Sequence, residues 1–221
     1  GNNQTYGNET VLSALHDGVS LSAGQFHYQT NGFRTNNDLR HDIYNVFGQA
    51  ALSPTFNVQA EVRSRRTETG DLRLNFDPEV FSRTRQRDLD QDTARVGARY
   101  SPSPHTDVLA SVIYSDRNDK ISEGPSDRPT EGDFDLRESL NGWQGETQWI
   151  YRHAKFATQV GFGSYTVDQT FGGEFGGSGD IDQYNGYVYG HVNVPADVTW
   201  TLGLGYDAYS DDGDHLDLLT P

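Results

Sequence analysis

Five arginines are candidates to act together. Arg63, Arg65, Arg95, Arg99 and Arg152 each fall at the polar phase of an alternating stretch, and Glu61, Glu146 and Asp207 share that phase. A guanidinium is a planar fork of donors that matches carboxylate and phosphate, so such a set lining a wet surface favours anionic or zwitterionic solutes. The same residues also suit ion pairs between neighbouring strands, which are favourable without any ligand. Both readings stand on the sequence. Asp211, Asp212 and Asp214 in D-D-G-D-H-L-D loosely resemble a calcium loop. They lack the spaced ligands and closing Glu of an EF-hand, so no metal site is assigned. The run F-G-G-E-F-G-G-S-G from Phe171 has no Gly-Lys-Ser/Thr and is no phosphate loop. Seven His are scattered, none beside a Ser nucleophile with a carboxylate at a convincing spacing. No catalytic residue and no cofactor is assigned, and no enzyme is expected.

Composition narrows the classes. The 221 residues include 26 aromatics (11 Phe, 12 Tyr, 3 Trp), 24 Gly, no Cys and no Met. Without Cys there is no disulfide scaffold, thiolate metal site or cysteine nucleophile. Net charge is −15, with a pI near 4.6, which argues against nucleic acid as a partner. A mean hydropathy of −0.74 and 33% hydrophobic residues would suit a disordered chain, but 12% aromatics, regularly placed, would not. No run approaches the ~20 apolar residues of a membrane helix, which leaves the closed β-barrel as a way to cross a bilayer.

The elements that would position the arginines are strands. Phe56, Val58, Ala60 and Val62 alternate with Asn57, Gln59, Glu61 and Arg63. Ala94, Val96, Ala98 and Tyr100 alternate with Arg95, Gly97 and Arg99, and Val198, Trp200, Leu202, Leu204 and Tyr206 with Thr199, Thr201, Gly203 and Gly205. Period-two alternation means a strand with one apolar and one polar face. The pattern predicts about ten strands, near 9–16, 18–29, 42–52, 55–66, 92–101, 106–116, 143–152, 155–166, 183–193 and 197–209. Between them, short turns alternate with long polar connections at 30–41, 67–91, 117–142 and 167–182. This asymmetry suits a transmembrane barrel with tight turns on one rim and long loops on the other. Aromatics near strand ends (Tyr28, Tyr44, Phe56, Tyr100, Tyr114, Phe156, Tyr165, Tyr206, Tyr209) would form interfacial girdles.

The stretches F-H-Y-Q-T-N-G-F-R-T-N-N-D-L-R-H-D-I-Y-N (Phe26 to Asn45), Gln59 to Phe81 and Gln91 to Asp116 resemble the barrels of bacterial outer-membrane proteins. The likeness is to porin-like or TonB-receptor-like barrels of the kind often found after tetratricopeptide repeats. It implies an all-β, antiparallel up-and-down transmembrane barrel in a Gram-negative outer membrane. It also implies a transport role, passing or exporting polar solutes or polymers through an Arg-containing lumen. Long loops would be extracellular and short turns periplasmic.

On this reading residues 1–221 form one barrel segment with no internal boundary, and both visible ends lie on the long-loop side. The chain is therefore expected to be an internal run of strands from a larger barrel. Partners would be outer-membrane lipid and lipopolysaccharide, the remaining strands of the same barrel or a partner chain, and a polar solute or polymer. Acidic residues of the long connections would either bridge to lipopolysaccharide through divalent cations or simply keep the rim solvated. The connection holding Leu72, Leu74, Phe76, Val80 and Phe81 is too apolar to be free. It is expected to extend the strand pair or fold inward. The competing architecture is a soluble extracellular β-sheet module recognising glycans.

Overall fold

The computed structural model describes residues 3–74, 80–125, 134–173, 176–193, 198–211 and 214–220. The elements are β1 (Tyr6–His16), β2 (Val19–Thr30), β3 (Leu39–Ser53), β4 (Phe56–Thr69), β5 (Gln86–Ser103) and β6 (Thr106–Glu123). They continue with β7 (Phe134–Arg152), β8 (Phe156–Gly173), β9 (Gly177–Val192), β10 (Trp200–Asp211) and β11 (Asp214–Thr220). All eleven form one antiparallel sheet in sequence order, and β1 and β11 do not pair with each other. Consecutive pairing in one direction is the up-and-down meander of barrel walls. Asp17 and Gly18 join β1 to β2 with φ of 45° and 81°. Two adjacent left-handed residues, Asp-Gly, make the primed turn that matches strand twist.

The eleventh strand corrects the expected ten. It pairs with β10 from Gly205↔Thr220 to Asp211↔Asp214, beyond the last expected strand at 197–209. The long polar connections also shrink. β5 begins at Gln86, β6 runs to Glu123, β7 starts at Phe134, and only residues 174–176 separate β8 from β9. The strands thus continue well past the expected apolar segments.

The register places side chains on two faces. Partners Val46↔Val62, Val62↔Ala94, Ala94↔Tyr114 and Tyr114↔Trp143 run across one face, and Ala50↔Val58, Val58↔Ala98 and Ala98↔Ala110 lie below them. Among the described residues nothing covers this face. Val96 and Val62 are 59% and 56% exposed, and among the described residues Val167 is the one buried hydrophobic, at 5%. The accessible surface is 14671 Å², whereas a compact protein of this mass exposes roughly 10,000 Å². Among the described residues the sheet has no second layer and no interior of its own.

Aromatics border the apolar belt in two rows. Tyr114 and Trp143 meet at 4.8 Å on one side. Phe56 and Tyr100 (6.4 Å), Trp149 and Tyr151 (6.0 Å), and Tyr151 and Phe156 (5.7 Å) line the short-turn side. Three expected girdle members are on the other face. Tyr28 pairs with His41, Tyr165 with Gln144 and Tyr209 with Leu216, each one residue out of phase with the belt.

Beyond the belt the phase inverts. On the belt side, Val62, Ala94, Tyr114 and Trp143 give way to Arg66, Asp90, Asn118 and Ser139, which are themselves register partners. On the opposite side Leu89, Ile121, Leu136, Leu140, Val167, Phe171 and Ile181 now alternate with those polar residues.

Candidate functional site

All eight sequence-selected residues share the polar face. Glu61 is opposite Arg95, Arg63 opposite Thr93 and Arg65 opposite Gln91. Arg99 is opposite Leu109, Glu146 opposite Ser111, Arg152 opposite Ala157, and Asp207 opposite Asn185. The structure brings most of them together in a way the sequence alone left open. Arg95 is paired sideways with Glu61 on the adjacent strand. Arg99 and Arg152, from β5 and β7, converge on Asp107 of β6 between them. Asp107 is 5% exposed and accepts from Arg99 Nε (3.0 Å), Ser101 Oγ (2.6 Å) and Arg152. The pairs therefore run along the wall rather than across an opening.

Sequence reasoning missed Asp107. The signal was faint: in β6 the polar phase reads Asp107, Leu109, Ser111, Ile113, half of it aliphatic. Only the register shows that this carboxylate lies between two arginines of flanking strands.

Glu146 is oriented by a tyrosine. Tyr187 Oη donates to Glu146 Oε1 (3.1 Å) and accepts from Gln148 Nε2 (2.7 Å). The Tyr187 ring occupies the space a Cβ on Gly161 would fill, so the strand can carry only glycine there without displacing it. Gln49, Gln59, Arg99, Ser111, Glu146 and Gln148 line a concavity of 660 Å³ on this face. A smaller one of 170 Å³ is lined by Glu61, Arg63, Arg65, Gln91, Thr93 and Arg95.

The charged residues past the belt are ordered too. Arg87 Nε (2.9 Å) and Nη2 (2.5 Å) and Arg117 Nη2 (2.8 Å) donate to Asp119. The Arg87 fork, then Arg117, hold that carboxyl below its usual range against the opposing effect of burial. Asp71, in the connection between β4 and β5, is fully buried. It accepts from the Ser82 amide (2.6 Å), the Arg73 amide (3.0 Å), and Arg73 Nε (2.9 Å) and Nη2 (3.1 Å). Burial alone would raise its pKa, but these donors bring it down to about 2. The Asp71 carbonyl accepts from Asn37 Nδ2 (2.9 Å) and Arg34 Nη2 (3.1 Å) of the β2–β3 connection. This explains how the apolar connection is held: it is tied to its neighbour through Asp71. Phe76 lies outside the described residues.

Asp211 and Asp214 are the last register pair of β10 and β11, and Asp212 lies outside the described residues. Among the described residues no group of three or more His, Asp or Glu is placed to hold a metal ion.

A one-layer antiparallel meander with an uncovered, aromatic-bordered apolar face has the architecture of a transmembrane β-barrel wall. Solved structures agree. The chain is similar to the ferric citrate transporter FecA (TM-score 0.69, 11% identity, 96% of this chain, 37% of FecA). It is similar to the alcaligin outer-membrane receptor FauA from Bordetella pertussis (0.68, 11%, 97% and 36%). It is also similar to the ferric-catecholate import receptor Fiu from E. coli K12 (0.72, 10%, 97% and 44%). The chain thus spans less than half the length of each. No family model and no curated protein matches the sequence. The three structures are named for transport or reception, and none for catalysis.

Proposed function

We propose that this chain is wall of an outer-membrane transport barrel, of the receptor type rather than an open porin. The observation that carries the reading is the uncovered belt from Val19 to Trp200, with a single buried hydrophobic among the described residues. In water such a belt would drive aggregation, whereas in a bilayer it is the solvated surface. The polar face then lines a lumen. Arg63, Arg65, Arg95, Arg99, Arg152, Glu61, Glu146 and Asp207 contact a polar solute moving inward, as the names of the import receptor and transporter suggest for those proteins. The rim carrying the Asp71 tie faces the cell exterior, with lipopolysaccharide around it, and the Asp17-Gly18 rim faces the periplasm. Further strands, of the same polypeptide or a partner, pair with β1 and β11, because open edges in lipid cost several kcal/mol per unpaired backbone group.

The test is fractionation of a Gram-negative host expressing the full-length protein. Recovery with the outer membrane, and release only by detergent, is expected. A monodisperse protein in detergent-free buffer would favour the soluble glycan-binding sheet and end this reading.

A further inference from the structure

The lumen reading does not explain two of the five arginines. Arg95, Arg99 and Arg152 have carboxylate partners on the wall. Among the described residues Arg63 and Arg65 have none: their register neighbours are Asn45 and Thr93, and Ile43 and Gln91. Gln91 donates its Nε2–H to Ser115 Oγ (3.2 Å). Arg65 Nε is sealed from solvent with no acceptor. Both side chains line the 170 Å³ concavity, together with Arg95 and the single carboxylate of Glu61. Three guanidinium groups against one carboxylate leave a charge of +2 in a small hollow. Like charges at neighbouring positions of one face repel, so an anion seated between these guanidinium groups relieves the repulsion and gains their donors.

We propose that Arg63, Arg65 and Arg95 form a binding site for a small oxyanion, a phosphate or dicarboxylate group carried by a solute within the barrel. The proposal deepens the transport reading and rests on its assignment of this face to the lumen. Two oxygens of the anion accept from the guanidinium Nη groups of Arg65 and Arg63, while Glu61 keeps Arg95 turned along the wall at the edge of the hollow. Thr93 supplies a hydroxyl on the same surface. The site is level with Val62, where the outer face turns from apolar to polar. A solute would therefore meet it on passing from the outer vestibule into the membrane-spanning part.

Isothermal titration of the full-length protein in detergent at low ionic strength reads the site, with inorganic phosphate and, separately, succinate as probes. We expect saturable binding of at least one probe, weakened by about tenfold or more in Arg63→Gln/Arg65→Gln. Arg66→Gln, which alters the outer face one residue away, should leave it unchanged. Arg65→Lys keeps the charge and loses the fork, so it should bind several-fold more weakly, and this single change decides the matter if the double variant does not fold. No saturable binding, or the same affinity in the Arg63 and Arg65 variants, overturns the anion site and leaves the barrel standing. Binding lost in Arg66→Gln and kept in the inner variants would show the two faces exchanged, and both readings would fall.

Discussion

Val112 and Ser111 are adjacent in β6 and point to opposite faces, so arginine at each should give opposite results. Val112 is 48% exposed, between Val96 and Gly145 in the belt. A strand rising ~3.4 Å per residue and tilted ~40° gains about 2.6 Å of depth per residue. Val112 is four residues from Asp116, so it sits about 10 Å below the first outer-face charge. It is six residues from Thr106, about 16 Å above the short-turn rim. That is close to the midplane of a ~25 Å belt, where an arginine costs about 2–4 kcal/mol. Ser111 is opposite Glu146 and lines the 660 Å³ concavity, so a guanidinium there enters water beside a carboxylate. Its cost should stay within about 0.5 kcal/mol, the usual bound for a surface change. Urea titration of the full-length protein in lipid vesicles, followed by tryptophan fluorescence, measures both. If Val112→Arg and Ser111→Arg shift stability equally, or Ser111→Arg is the worse, the belt does not face lipid.

Three further outcomes follow from the polar contacts. Asp71 has a pKa lowered to about 2 from 3.8, so its contribution is complete above about pH 5 and is lost progressively as the pH falls through 3.8 towards 2. The difference corresponds to about 2 kcal/mol, and protease accessibility of the β4–β5 connection should stay flat from pH 7 to 5 and rise progressively below pH 4. Asp107→Asn removes the negative charge shared by Arg99 and Arg152, replaces one acceptor oxygen with a donor amide, and should destabilise by about 1–3 kcal/mol, visible as a lower urea midpoint. An unchanged midpoint would mean that the lumen water already solvates both arginines. Gly161→Val displaces the Tyr187 ring and, with it, the hydrogen bonds to Glu146 and Gln148. A loss of about 1–3 kcal/mol, matched by Tyr187→Ala and not additive with it, would mark the two as one unit.

The sequence showed the belt and not the wall above it. Within lipid every second residue is apolar for one reason, and Phe56, Val58, Ala60 and Val62 announce that directly. Past the belt the outer face meets water, and the inner face is where Leu89, Ile121, Leu136 and Phe171 gather. The period stays at two while its phase reverses, so a search for one continuous apolar stripe ends at the reversal and reports a loop. β11 was hidden by a related effect. Leu216 and Leu218 fall on the polar face and Leu219 on the other, so the strand has no clean alternation, and only its pairing with β10 defines it. For the arginines, residue type and phase fixed the face. Which of them are satisfied depended on register, because Asp107, the acceptor for two, lies on a strand whose polar phase is diluted by Leu109 and Ile113.

The position of the water boundary follows from one unfavourable pair. Asp92 and Asp116 are register partners on the outer face, two carboxylates directly opposed across neighbouring strands. Opposed like charges destabilise a sheet by a few tenths of a kcal/mol up to about 1 kcal/mol in water. Moved into hydrocarbon, the same pair would have to lose both charges or drag water in with it. The pair is therefore tolerable at one kind of depth only, and Asn118 Nδ2 donates to Asp116 Oδ1 (2.9 Å) from the solvent side. Immediately below it come Ala94 and Tyr114, and Trp143 packs against Tyr114. The step from Asp92–Asp116 to Ala94–Tyr114 is two residues, about 5 Å of depth. An all-polar, soluble sheet would have no reason to place its sharpest change of character there, on one face only and in phase across neighbouring strands.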